Sequence, residues 1–182
     1  MKVIVISGKS GSGKTFVAER LKEYIESNYD LKGYIINFGD PLKMVCQKVY
    51  GWDGSKGPTG RELLQRVGTD IAQANNKLVW VNIVFNIIEA LRDQFDFVII
   101  GDARFVHEIE ETYTHFITEH DDVFAIKVLG KENITLSEEQ KNHPSETNLD
   151  NYSNVHYNFD NRVYDVNRFF HQLFLICDII GF

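Results

Sequence analysis

Eight residues near the start of the chain, Gly8-Lys9-Ser10-Gly11-Ser12-Gly13-Lys14-Thr15, have the types and spacing of a loop that wraps phosphate. They fit the pattern G-x-x-x-x-G-K-[ST] without departure. Glycines let the backbone curl until successive N–H groups converge on phosphate oxygens. A lysine at the end of such a loop neutralises β- and γ-phosphates, and a hydroxyl directly after it can ligate Mg²⁺. The chemistry implied is the binding of ATP phosphates, with Lys14 as the neutralising charge and Thr15 as a metal ligand. The motif describes the donor side only and does not say what receives a phosphoryl group.

Such a loop works at the junction of a strand and a helix, and the flanks supply both. Lys2 to Ser7 is a β-branched run suited to a parallel strand covered on both faces. Its apolar part, Val3 to Ile6, is too short for a signal segment or a membrane span. After the loop, Val17, Leu21 and Ile25 recur at helical spacing, and the start of that helix adds its positive end to the phosphate site. Gly33 to Phe38 reads as a second strand, and Pro41 fits the first turn of a helix with Asp40 as its N-cap. Residues 51–58 are a loop by composition, and Gly60 to Gln73 and Trp80 to Arg92 read as two helices.

Phe97 to Ile100 is another buried strand, ending at Gly101-Asp102, and Phe105 to Thr114 is an acidic helix. Val123 to Leu129 and, more weakly, Val155 to Phe159 complete the strands, and Val163 to Ile180 is a closing helix. Strands alternating with helices predict an α/β fold with a mostly parallel sheet, as a single domain over residues 1–182. The polar connection at about 130–154 is long for a compact domain, which marks a flap or lid.

Asp102 falls at the carboxyl edge of the sheet, where ligands bind in open α/β folds. There it could hold Mg²⁺ opposite Thr15, or cap the helix that follows; the two readings are compatible. Arg104 shares that edge and could clamp an acceptor phosphate or the transferring group, or be a solvated surface charge. Arg61 and Gln65 are four apart and share a helix face, for one ligand or for solvent. Trp80 could stack on a base or belong to the core. His143-Pro144-Ser145-Glu146 is either lid chemistry or a turn with a serine cap.

Composition bounds the partners. With 19 Lys and Arg against 26 Asp and Glu, the formal charge of −7 argues against a broad cationic surface for nucleic acid or anionic membrane. Phosphate must therefore be held by local geometry and a few placed cations. Cys46 and Cys177 show no metal or redox spacing, which suits a reducing cytoplasm.

Taken together, Phe38-Gly39-Asp40-Pro41-Leu42-Lys43, the run Gly60-Arg61 through Gly68-Thr69-Asp70, Gly101-Asp102-Ala103-Arg104-Phe105, and His143-Pro144-Ser145-Glu146 resemble the bacteriophage-type deoxynucleoside monophosphate kinases. The resemblance covers nearly the whole chain. It implies a P-loop nucleotide-binding fold with a five-stranded parallel sheet in the order 2-3-1-4-5, helices on both faces and a lid. It also implies transfer of the γ-phosphoryl of Mg·ATP to a deoxynucleoside monophosphate, with neither a nucleic acid polymer nor a membrane as partner. Carried over, Gly8 to Thr15 bind ATP, Asp102 assists Mg²⁺, and Lys14, Asp102 and Arg104 are the catalytic set. Asp40, Lys43, Arg61, Gln65, Trp80 and Arg104 fall on the acceptor side, and Lys131, His143, Ser145 and Glu146 on the lid. The chain departs from the family in carrying Thr15 directly after Lys14, Val106 and His107 where proline and asparagine are expected, and a lid poor in arginine. Lys127, Lys131 and Lys141, with Arg162 and Arg168 beyond, are the cations at hand. Rival readings are a hydroxyl-directed P-loop kinase with Asp40 as general base, a phosphomevalonate kinase-like enzyme, and an ATP-dependent switch.

Overall fold

The apolar run after Met1 forms β1 (Lys2–Ser7), and Val3 to Ile6 are completely buried. A strand of this kind needs partners on both edges and cover on both faces. β1 pairs in parallel with β3 (Phe97–Ala103) on one side and β4 (Asp122–Leu129) on the other. β2 (Gly33–Ile36) extends the sheet beyond β3, and β5 (Tyr157–Asp160) beyond β4, both in parallel. The order is β2-β3-β1-β4-β5, as expected from the sequence resemblance. The computed structural model describes residues 1–55, 57–117, 122–131, 133–134 and 136–182. Lys56 of the loop at 51–58, and Glu132 and Thr135 of the lid, lie outside the described residues.

The pleat sorts the strand residues into two cores. On one face Ile4, Ile6, Ile99 and Ile126 meet Val17, Leu21 and Ile25 of α1 (Lys14–Tyr29) and Phe169, Leu173 and Ile176 of α8 (Val166–Ile180). On the other, Val3, Val5, Val98, Ile100 and Ala125 meet Val81, Val84, Phe85 and Ile88 of α4 (Val79–Leu91) and Ile109 and Phe116 of α5 (Val106–Phe116). Each such side chain gains about 1.5–3 kcal/mol from leaving water. Together they fix the carboxyl edge of the sheet as a rigid platform.

Three helical pieces lie between β2 and α4. α2 spans Gly39–Tyr50, and α3 (Pro58–Gln65) runs directly into a π-helical stretch, Arg66–Gln73. Pro58 opens α3 two residues earlier than expected because its fixed φ suits a first helical turn. The connection at about 130–154, expected to be a lid, carries two short helices among its described residues, α6 (Glu138–Asn142) and α7 (Pro144–Thr147).

Some boundaries differ from expectation. β2 stops at Ile36, and α2 starts at Gly39 with Phe38 as N-cap, so Asp40 is inside the first turn and is not the cap. Its Oδ2 turns back to accept from the Asn37 N–H at 3.0 Å and the Asn37 amide at 2.9 Å. The last helix begins three residues later than the apolar pattern suggests, at Val166. Asp165 caps it there by accepting from the Arg168 N–H at 2.8 Å. No helix among the described residues is long and apolar enough to cross a membrane.

Candidate functional site

The loop leaving β1 winds through Gly11 and Gly13 with φ of 78° and 93°, a left-handed conformation that glycine adopts without strain. Lys14 follows as the first residue of α1 and is buried. Its ammonium donates to the Gly8 carbonyl at 2.7 Å and the Lys9 carbonyl at 2.8 Å. Burial, reinforced by the charge of Arg104, lowers its pKa to about 7, against the pull of Asp102, Glu146 and Glu108. Thr15 sits beside it, exposed at the head of the same helix.

Asp102 is the penultimate residue of β3, at the carboxyl edge as expected, but the helix it caps is not the one that follows it. Its two oxygens accept from the backbone N–H groups of Phe38 (2.7 Å) and Gly39 (3.1 Å), the start of α2. A carboxylate there satisfies orphan donors and complements the helix dipole. Desolvation raises its pKa, while Lys43, Arg104, the Gly39 N–H and Lys14 hold it down. A Cβ on residue 39 would come within 2.8 Å of Asp102 Oδ2, so glycine is what lets the carboxylate approach.

Arg104 is drawn toward the phosphate loop by an ion pair between its Nη1 and Glu146 Oε1. The other oxygen of Glu146 accepts from the Ser10 N–H at 2.7 Å. The Glu146 side chain is only 5% exposed, so the lid delivers a carboxylate deep into the loop. Glu108 completes the cluster. It stands at the third position of α5, and its Oε2 accepts from the backbone N–H groups of Arg104 (2.6 Å) and Phe105 (3.0 Å). Full burial pushes its pKa up to about 8, with Asp102 adding to the rise against the two backbone hydrogen bonds and Arg104.

The acceptor-side residues divide. Asp40 and Lys43 pair at 2.7 Å in α2, and Lys43 is among the charges acting on Asp102. Arg61 and Gln65 share α3, partly buried. Trp80 is 7% exposed, and its indole N–H donates to the Gly68 carbonyl at 3.0 Å. It braces the π-helical stretch from within the core and presents no open face for a base to stack on, which corrects the stacking expectation. None of these residues lines the cavity of about 530 Å³, which is bounded by Thr69, Lys77, Phe105, His107, Glu110 and Asn148. His107 stacks on Phe105 there, and burial, with the charge of Lys77, lowers its pKa to about 4.

The lid motif is also tied down. His143 caps α7, its Nδ1 lying 3.2 Å from the Ser145 N–H and 2.9 Å from the Ser145 hydroxyl, and its Nε2 faces Asp70 at 3.9 Å. Lys127 donates to the Leu149 and Tyr152 carbonyls and so anchors the far end of the lid. Lys141 pairs with Glu138, and Arg162 and Arg168 both pair with Asp160. Lys131 instead lines a second cavity, of about 380 Å³, beside Gly11 and Ser12 with Phe16, Asn161 and Tyr164. Asn161 reaches the phosphate loop by donating to the Ser12 carbonyl at 2.9 Å.

Sequence reasoning missed Glu108 and Asn161. Glu108 was within reach, since a Glu three residues after a helix start is a capping signal. Asn161 was not, because nothing local distinguishes an asparagine just past a strand end.

No protein-family model matches the sequence, and no curated protein matches it. Among solved structures, the chain is similar to APS kinase CysC of Mycobacterium tuberculosis, with 13% identity, a TM-score of 0.50, and coverage of 100% of this chain and 97% of that one. It is similar to Kti12 of Chaetomium thermophilum, solved with ADP-AlF3, at 14% identity and a TM-score of 0.54, covering 98% of each chain. Shikimate kinase of Bacteroides thetaiotaomicron gives 11% identity and a TM-score of 0.54, covering 99% of this chain and 98% of that one. At these identities the likeness speaks for the fold alone, and the fold is that of an α/β P-loop NTPase.

Proposed function

We propose that this protein transfers the γ-phosphoryl group of Mg·ATP to a (deoxy)nucleoside monophosphate. The observation that carries the reading is the convergence of Lys14, Asp102, Arg104 and Glu146 at the carboxyl edge of the sheet, where a phosphate loop faces a second cation. A monophosphate acceptor brings an anionic oxygen and needs no general base, so in-line positioning and charge neutralisation suffice. Asp40 is engaged by Asn37 and Lys43, and Asp102 by two backbone N–H groups, so both carboxylates already serve to position α2.

In this reading Gly8 to Thr15 hold the phosphates of ATP, and Lys14 meets the β- and γ-oxygens. Arg104, freed from Glu146, spreads the charge on the transferring group. The acceptor lies toward α2 and α3, which carry Asp40, Lys43, Arg61 and Gln65. Among the described residues no cluster of three or more His, Cys, Asp or Glu could hold a metal alone. That suits an ion that arrives with ATP, for which the Thr15 hydroxyl and, through water, the Asp102 carboxylate are the protein's oxygen donors. Bound there, Mg²⁺ would neutralise charge on the β- and γ-phosphates. Both cysteines are buried and unpaired, which supports a reducing compartment such as the cytoplasm.

The test is ADP release from Mg·ATP with each deoxynucleoside monophosphate, ribonucleoside monophosphate and nucleoside in turn, with the product identified. Stimulation by one or more monophosphates, yielding the diphosphate, is expected. Phosphorylation of nucleosides alone would move the base role to Asp40 and overturn the acceptor assignment.

A further inference from the structure

Glu146 is a buried carboxylate whose two oxygens are both committed, and both partners belong to the phosphate side of the molecule. Oε2 takes the Ser10 N–H, one of the amides of the phosphate loop, and Oε1 pairs with Arg104. An anion held between a loop amide and a guanidinium has the same recognition chemistry as a phosphoryl oxygen. Lys14, in the same cluster, is turned onto the loop carbonyls of Gly8 and Lys9. The rest of the lid holds this arrangement, since His143 caps α7 at its base, Lys127 grips Leu149 and Tyr152, and Lys9 pairs with Asp150 at 2.7 Å.

We infer that Glu146 is an internal stand-in for phosphate, a latch that occupies the Ser10 amide and Arg104 until the triphosphate displaces it. The latch rests on the reading of Gly8 to Thr15 as the ATP site. Its displacement links two events: one movement empties the loop amide and releases Arg104 toward the phosphates. The lid residue thus reports occupancy of the donor site to the cation proposed to serve the reaction. A competing carboxylate lowers the apparent affinity for ATP by the fraction of molecules in which it is engaged.

The experiment is calorimetric titration of Mg·ATP into the unaltered chain, Glu146→Gln and Glu146→Asp, with melting curves to confirm that each is folded. Gln keeps the shape and sheds the charge; Asp keeps the charge but is one methylene too short to span Ser10 and Arg104. Tighter binding in both, by about tenfold where the latch is engaged nine times in ten, is the expected result. Unchanged or weaker binding in both would overturn the latch and make Glu146 a support of the bound state. Tightening in Gln alone also overturns it, since a through-space charge would then explain the effect without occupation of the amide. If none of the three chains binds Mg·ATP, the phosphate-loop reading falls first, and the latch falls with it.

Discussion

Lys14 shows why the energetics of this site must be read from charge as well as contact. Its pKa is lowered from 10.5 to about 7, chiefly by burial, so above neutral pH much of the free protein carries it uncharged. Phosphate binding restores the charge, and nucleotide binding should therefore take up a proton between about pH 7 and 10. Calorimetry in buffers of different ionisation enthalpy reads this directly; proton uptake that is absent at pH 8 would contradict it. Lys14→Ala should abolish transfer, by at least about a thousandfold, while leaving the melting temperature near that of the parent, because a desolvated ammonium is removed. Glu108 behaves in the opposite sense. Its pKa is raised from 4.5 to about 8, so the stability it lends is present below the unfolded value and is lost as pH rises through the folded one. Glu108→Gln preserves an acceptor for the Arg104 and Phe105 amides and removes this titration. The melting temperature of the parent should fall relative to that of the variant between pH 5 and pH 9, and parallel curves would contradict the assignment.

At the scale of elements, the site is built where β1 meets α1 and where β3 meets α2, with Glu146 of α7 reaching across to it. Asp102 docks the start of α2, and Gly39 makes the approach possible. Gly39→Ala should push the carboxylate away and loosen the turn that carries Asp40 and Lys43. The expected cost is about 1–3 kcal/mol in denaturant unfolding, the range for a disturbed buried hydrogen-bonded group. The elements themselves were legible because β1, β3 and β4 are continuous apolar runs, and because the phosphate loop is read by glycine and lysine spacing over only eight residues. The partners of Asp102 were not, since they lie 63 and 64 residues away across a crossover and leave no local trace. Asp40 misled for a related reason. Its type suits an N-cap, but Asp102 arrives from β3 to fill that role, and Asp40 turns to Asn37 and Lys43 instead. The connection at about 130–154 stood out in the sequence by length and polarity, whereas the reach of Glu146 to Ser10 depends on how residues 143–152 are pinned in three dimensions.

The described residues form one sheet between two apolar layers, with Lys14, Asp102, Arg104 and Glu146 gathered at its carboxyl edge. In the proposed function, an acidic chain with formal charge −7 meets a polyanionic nucleotide through Lys14 and Arg104, placed where the sheet and the loop converge. The central claim is that the phosphoryl group leaves ATP for a monophosphate and not for water. The most direct measurement is to supply Mg·ATP labelled in its γ-phosphoryl group, with and without each deoxynucleoside monophosphate, and follow the label. The label is expected in the terminal phosphate of a deoxynucleoside diphosphate, in step with ADP and only when its acceptor is present. Label released as inorganic phosphate at the same rate with or without acceptor would contradict the account and leave an ATP-hydrolysing protein in its place.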